Sequence, residues 1–179
     1  MRKLSMDELN RKTVDEFKQA EKIPLIVILE NIRSAYNVGS IFRTADAFLI
    51  QAVYICGYTA HPPHKEIKKT ALGAEDTVQW KYLKDVREAI REIKEMGFKV
   101  YAVEQAVNSI QLNKFEAPNS KIALILGNEV TGVEQSTIEI CDGCIEIPQS
   151  GMKHSLNVSV AAGIVLWQIS KQLMNPQTP

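Results

Sequence analysis

The sequence predicts an α/β fold, with a mostly parallel sheet and helices on both faces. Three observations lead there. Short, nearly uniform apolar runs recur along the chain, at residues 25–29, 52–56 and 121–126, and strands buried on both faces read that way. Helical stretches separate these runs, the alternation that parallel βαβ units require. No repeat, low-complexity tract or linker interrupts the series, and 179 residues suit one compact core.

The elements follow in order. Residues 5–21 are expected to form an amphipathic helix. Ser5-Met6-Asp7-Glu8 has capping-box form, and Met6, Leu9, Thr13 and Phe17 fall near one face. Pro24 separates this helix from the body, so residues 1–22 read as an N-terminal helical extension and 23–175 as the main domain. Residues 25–29 are the first strand. A helix over 37–48, with Asn37 suited to its N-cap, precedes a strand at 52–56. His61-Pro62-Pro63-His64 is a loop, and a Lys-rich helix runs on to about 72. A short strand is placed at 77–80, a charged amphipathic helix at 83–96 with Gly97 as its C′ residue, and a strand at 98–103. Then come a strand at 121–126, a short helix at 133–140, a strand at 143–147 and a final helix at 155–173. That last helix is apolar almost all round, yet Ser155 and Asn157 open it. Small polar residues suit a helix start and mark either a cap or a site.

The totals set bounds. Lys plus Arg and Asp plus Glu both number 21, so net charge does not point to a polyanionic partner, although a local basic patch is enough for one. Three cysteines argue against a disulfide framework and for a reducing compartment. The longest apolar segment, 160–167, is too short to span a bilayer, and the N-terminus lacks an apolar signal core. The expected location is the cytoplasm, with no membrane partner.

In a sheet of this kind ligands sit beyond the carboxyl ends of the strands. The loop after residue 29 leads into Asn37-Val38-Gly39 and then Arg43. There a free helix N-terminus would attract phosphate, and Gly39 would let backbone or ligand come close. Arg43 is either a solvated charge or a functional one. The loop Leu126-Gly127-Asn128-Glu129-Val130-Thr131-Gly132 has phosphate-loop glycine spacing. It has Val133-Glu134 where Lys-Ser/Thr is required, leaving a Gly turn with a solvated Glu as the plain reading. No G-x-G-x-x-G follows a strand, so a dinucleotide site is not expected. Cys141 and Cys144 lack the second ligand pair of a metal site and precede a strand rather than open a helix, so packing is expected of them. His61, His64 and His154 lack ligand spacing, and only His154 is close in sequence to Ser155 and Asn157. Lys65, Lys68 and Lys69 form either a patch for RNA phosphates or a solvated helix face.

Taken together, three segments resemble the SpoU/TrmH family of RNA 2′-O-ribose methyltransferases. The first is residues 31–48, with Asn37, Gly39 and Arg43-Thr44-Ala45. The second is Leu124-Ile125-Leu126-Gly127-Asn128-Glu129 with Gly132. The third is Ile147-Pro148, Gly151 and Ser155-Leu156-Asn157-Val158-Ser159-Val160-Ala161. Lys69-Thr70-Ala71-Leu72-Gly73-Ala74-Glu75 looks similar too. Leu49 stands where the family commonly has Gly, and Gln149 where it commonly has Met; neither position is assigned to chemistry.

The resemblance implies a SPOUT fold whose C-terminal segment threads a deep trefoil knot. It also implies S-adenosylmethionine as methyl donor, RNA as substrate, and an obligate homodimer with the active site at the subunit interface. The reaction is attack of a ribose 2′-hydroxyl on a sulfonium methyl, which needs no metal. By the family pattern Arg43 is the central catalytic residue, as general base or as a clamp for phosphate and alkoxide. Asn37, Glu129, Ser155 and Asn157 match the other catalytic positions. Glu129 would hold Arg43 or the loop, Ser155 and Asn157 would position the ribose, and Asn37 would order the helix or contact RNA. Leu126, Gly127, Ile147 and Leu156 match the adenine slot, with Glu104 a ribose or amino-acid contact. Lys65, Lys68 and Lys69 would bind RNA. tRNA is favoured over rRNA, because only the short helix at 5–21 precedes the main domain, whereas many ribosomal members carry an extra RNA-binding domain. Two alternatives stand beside this reading: a non-catalytic RNA-binding relative, and a doubly wound module for a nucleotide or flavin.

Overall fold

The structure, a computed structural model, describes residues 1–174 except Met6, Asn10, Asn119, Ser120 and His154. Seven strands form one parallel sheet: β1 (Ile23–Glu30), β2 (Ile50–Cys56), β3 (Trp80–Leu83), β4 (Lys99–Val103), β5 (Ile110–Gln111), β6 (Ile122–Leu126) and β7 (Gly143–Glu146). Among the described residues six α-helices accompany them: α1 (Val14–Gln19), α2 (Ala35–Ala47), α3 (Lys65–Ala71), α4 (Val86–Glu95), α5 (Gln135–Ile138) and α6 (Val158–Met174).

The strand order is β3-β2-β1-β6-β4-β7-β5. From β1 the chain lays β2 and β3 to one side and places β4 on the other. β6 then enters between β1 and β4, and β7 between β4 and β5. The reversal of direction beside β1 opens a crevice at the carboxyl ends of β1, β6 and β4, the usual ligand position in such sheets.

Side chains alternate across the strands and divide the core in two. Leu25, Val27 and Leu29 of β1 join Ile122, Leu124 and Leu126 of β6 on one face, under α2, α3 and α6. Ile26 and Ile28 join Ala123 and Ile125 on the other, under α4. Both faces are covered, which is why these strands read as continuous apolar runs rather than alternating ones.

Several boundaries differ from the sequence reading. The expected helix at 5–21 is a 3-10 turn at Asp7–Leu9 followed by α1. The Ser5–Glu8 box does form: the Ser5 amide donates to the Glu8 carboxylate at 2.7 Å. A second box then restarts the chain, with the Thr13 amide on the Glu16 carboxylate at 2.7 Å and the Glu16 amide on Thr13 Oγ1 at 3.2 Å. Phe17 anchors α1 in the main core. The strand placed at 77–80 begins at Trp80 instead, because the Thr77 and Val78 amides turn back to the Ala74 carbonyl behind the 3-10 turn Ala74–Asp76, and Val78 is buried. β5 has only two residues, too few for a periodic signal. α2 begins at Ala35 with Ser34 as N-cap, two residues before the expected start; Asn37 lies in its first turn.

Gly39 lets α3 rest on α2. A Cβ there would stand 2.4 Å from the Ile67 carbonyl oxygen and 2.1 Å from Thr70 Oγ1. The close approach expected of this glycine is therefore made by backbone. Leu49, where the family commonly has Gly, sits at φ 51°, the left-handed region that glycine enters without cost. Gly39→Ala is expected to cost about 1–3 kcal/mol through forced separation of the two helices. Thermal unfolding should read this as a Tm loss of about 2–4 °C per kcal/mol.

Candidate active site

Three loops meet at the carboxyl edge of the sheet. The loop after β6 is folded on itself: Asn128 and Gly132 exchange backbone hydrogen bonds of 3.0 and 2.9 Å. Asn128 Oδ1 also accepts from the Val130 and Thr131 amides at 2.8 and 3.0 Å. Gly127 is required here by space, and Gly132 by its left-handed backbone at φ 71°. A Cβ at Gly127 would lie 2.2 Å from the Val133 amide nitrogen, and one at Gly132 2.1 Å from Glu104 Oε2.

This turn presents Glu129 to the start of α2. Its carboxylate accepts the Arg33 amide at 2.8 Å, the Ser34 amide at 3.0 Å and Asn37 Nδ2 at 2.8 Å. Partial burial works against the charge. The Arg33 amide, the Asn37 side chain and the Ser34 amide outweigh it and hold the carboxyl below its usual range. One sequence expectation is corrected: the start of α2 is met by an internal carboxylate rather than left free for phosphate. Of the two readings of Glu129, a solvated charge or a group that holds the loop, the contacts are those of the second.

The third segment joins through Asn157. Its Nδ2 donates to Asn37 Oδ1 at 3.2 Å. Its Oδ1 accepts from the Ser159 and Val160 amides at 2.9 and 3.4 Å, so Asn157 caps α6 and leaves Ser155 and Leu156 in the preceding loop. One residue from each of the three segments thus enters a single network, Glu129–Asn37–Asn157.

Beside it lies an open cleft of ≈ 1140 Å³. Glu104, Leu126, Gly127, Ile147 and Leu156, the residues expected to hold a cofactor, all line it, as do Glu129 and Ser155. Glu104 differs in detail. Its Oε2 accepts the Val133 amide at 3.1 Å and Oε1 the Gln105 amide at 2.8 Å, so it braces the glycine loop while facing the cleft.

Arg43 stands apart. It is exposed on α2 and lines a separate shallow cleft of ≈ 490 Å³ with Ser40, Thr44, Phe48, Lys69 and Thr70. Among the described residues its guanidinium makes no hydrogen bond or ion pair, so Glu129 holds the loop and not Arg43. Of the three α3 lysines, all exposed, only Lys69 shares the Arg43 cleft; its Nζ lies 5.9 Å from the centre of the Tyr36 ring.

The sequence reading missed Asn31, Tyr58 and Asn128. Asn128 Nδ2 donates to the Asn31 carbonyl at 2.9 Å and to the Tyr58 hydroxyl at 2.6 Å, joining the ends of β1, β2 and β6. The asparagine immediately before Glu129 was a visible signal. It also missed the buried Glu30, which accepts the Thr137 hydroxyl at 2.5 Å and the Glu134 amide at 3.2 Å, and whose carboxyl burial pushes up. His64 caps α3 through Nδ1, and His61 stacks on Trp80 with ring centroids 5.9 Å apart. His154 lies outside the described residues. Cys141 and Cys144 donate to the Thr137 and Glu104 carbonyls, and burial pushes the Cys141 thiol up to about 12, as befits packing groups.

The Glu129 contacts have a pH signature. A carboxyl whose folded pKa is depressed contributes stability above its ordinary value and loses that contribution as pH falls through the folded value. Glu129→Gln is expected to cost about 1–2 kcal/mol near neutral pH. In chemical denaturation the gap to wild type should close as pH drops from above 4.5; a pH-independent gap would remove the carboxylate from this role.

Comparison with known proteins places these features. The pattern of the SpoU rRNA Methylase family matches residues 24–167. The chain is 32% identical over 168 residues to a tRNA (guanosine(18)-2′-O)-methyltransferase of Thermus thermophilus, covering 92% of this chain and 84% of that protein. Two crystal structures superpose on it. The TrmH/SpoU tRNA modifying enzyme of A. aeolicus has a TM-score of 0.80 at 28% identity, over 90% of this chain and 81% of that one. An AdoMet-bound rRNA methyltransferase from Sinorhizobium meliloti has a TM-score of 0.77 at 25% identity, over 89% and 60%. The family match spans the cleft, Glu129 and Asn157, and the chain belongs to the SpoU rRNA Methylase family.

Proposed function

We propose that this chain transfers a methyl group from S-adenosylmethionine to a ribose 2′-hydroxyl in structured RNA, and that it acts in the cytoplasm. One observation carries the reading. Residues from three distant segments form one hydrogen-bonded network at the rim of a cleft that holds every residue expected at the cofactor. tRNA is favoured over rRNA, since the match to the Thermus thermophilus tRNA enzyme extends over 84% of that protein.

The cleft fits the donor. Leu126, Ile147, Leu156 and Val158 offer an apolar wall for an adenine ring. Gly127 and Gly132 leave the loop backbone uncovered, and Glu104 is an acidic group at the end of β4. When bound there, S-adenosylmethionine supplies an electrophilic methyl carbon with a neutral leaving group.

The chain's own residues handle the nucleophile. Ser155 and Asn157 position the ribose beside the cleft. Glu129 is a poor base, because three donors occupy its oxygens and its pKa is depressed; it positions Asn37 and α2. Arg43 shares its cleft with Lys69. Two cations facing one opening suit a clamp on the RNA phosphate that also stabilises the developing alkoxide. We assign Lys65 and Lys68 to the adjoining RNA backbone.

Because Arg43 lies outside the donor cleft, the site is completed in a homodimer. Its shallow cleft includes Phe48, whose ring lies 5.6 Å from that of Trp167. Trp167 continues an exposed apolar stripe on α6 with Val160 and Ile164. The Arg43 surface is thus continuous with the face on which a second copy docks. The entry of β6 and β7 between strands already laid suits a knotted C-terminal path. We read residues 1–22 as an extension seated by Phe17 and 23–175 as the methyltransferase domain.

Arg43→Ala is expected to lower methyl transfer to RNA by at least about 10²-fold while S-adenosylmethionine affinity, measured calorimetrically, is unchanged. Retained turnover would remove Arg43 from the chemistry. Leu156→Asp should do the reverse, weakening donor binding. If the site spans two subunits, mixing the two inactive variants should recover about a quarter of wild-type activity, from mixed dimers with one intact site. No recovery, in dimers demonstrated by light scattering, would place both groups in one chain.

A further inference from the structure

We infer that Tyr58 is a stacking platform for an unpaired base of the RNA substrate, next to the ribose that is methylated. The inference rests on the methyltransferase reading above and extends it: the substrate must offer a splayed base, not a continuous helix.

Tyr58 opens the loop after β2 and is 65% exposed. An exposed tyrosine ring is ordinarily free to change rotamer. This one is fixed at both ends. Its amide donates to Asn31 Oδ1 at 3.3 Å, and its hydroxyl accepts from Asn128 Nδ2 at 2.6 Å. The two anchors are themselves held. Asn128 is 8% exposed and uses its Oδ1 on two backbone amides, while Asn31 Nδ2 donates to Glu134 at 3.2 Å. Gly57, at φ 67°, leaves the room this needs, since a Cβ there would stand 1.9 Å from Asn31 Oδ1. The ring therefore keeps an open face with little rotamer freedom left to lose on binding.

Its place is equally specific. Asn128, which holds the hydroxyl, is the residue before Glu129, the buttress that orders Asn37 and through it Asn157. A base on Tyr58 would lie at the mouth of the ribose site. The same loop runs from Tyr58 into α3, with its exposed Lys65, Lys68 and Lys69. A pinned aromatic ring followed by a row of cations is the combination that holds single-stranded nucleic acid: the face takes a base and the cations take phosphates.

The test uses full-length enzyme, labelled S-adenosylmethionine and total RNA from cells lacking the gene. Tyr58→Leu is expected to raise the KM for RNA about 5- to 150-fold, the worth of one stacked base. Turnover at saturating RNA, donor affinity and Tm should stay at wild-type values. Tyr58→Phe keeps the ring and loses only the Asn128 contact, so its KM should stay within about threefold of wild type. An unchanged KM in Tyr58→Leu overturns the inference. So does equal impairment of both variants, which would make the hydroxyl anchor the working part. Should Tyr58→Leu lose stability, Tyr58→Trp decides: a KM at or below wild type supports stacking, and a raised one refutes it. If the wild-type enzyme methylates no RNA, it is the methyltransferase reading that fails, and the two failures are told apart in the same assay.

Discussion

The Glu129 carboxylate takes the amides of Arg33 and Ser34, the two residues that lead into α2, and so seats the start of that helix. This contact sets the phase of the helix. Asn37 and Arg43 are six residues apart, about 9 Å along the axis and roughly a third of a turn around it. Once Glu129 fixes the first turn, Asn37 faces Asn157 and Arg43 faces Lys69. A slip of one residue at the N-terminus would rotate both away. Two surfaces that share no lining residue, the proposed donor cleft and the Arg43 cleft, are registered by one carboxylate.

That carboxylate is itself held by geometry that only small residues permit. Gly127 and Gly132 let the loop after β6 close so tightly that backbone nearly touches backbone, and Glu104 from β4 pins the Val133 amide at its far end. Asn128 fills the interior of the turn and reaches across to Asn31 and Tyr58. Glu30 at the end of β1 holds the next stretch through Thr137 and the Glu134 amide. Its charge is costly to bury, which is why its carboxyl is pushed upward, and the two hydrogen bonds offset part of that cost. The ends of four strands are joined by polar side chains over an apolar sheet.

The fold class was legible because burial on both faces writes long apolar runs, as in Leu25–Leu29 of β1 and Ile122–Leu126 of β6. Local boundaries were less so. Ser34, not Asn37, caps α2, and the choice depends on Glu129, 95 residues away in sequence. The α1 break turns on Thr13 and Glu16 outcompeting a continuous amphipathic pattern. β5 is a strand only because β7 lies beside it. The same distinction holds in the site. Glu129 and Asn157, which the structure joins through Asn37, stood out in the three segments. Asn31, Asn128 and Tyr58 carry no signature in isolation, because their meaning lies in whom they touch. The separation of Arg43 from the donor cleft was likewise invisible, since spacing along a chain does not say which side of a helix faces which loop.

α6 ties these features to assembly. Its first turn is capped by Asn157, which belongs to the network; Val158 and Ala161 line the donor cleft; Ala162, Val165, Leu166 and Ile169 fill the core; and Val160, Ile164 and Trp167 face outward. A helix apolar on two opposite sides has more surface to cover than its own chain supplies. Whatever covers the outer stripe also presses on an element that ends at the site. Trp167 touches Phe48, and Phe48 lines the Arg43 cleft, so cover supplied by a second copy would reach the cation and the cap together. Under the proposed homodimer, docking and completion of the site are then one event, and a chain alone would hold its donor cleft without the charge that the reaction requires.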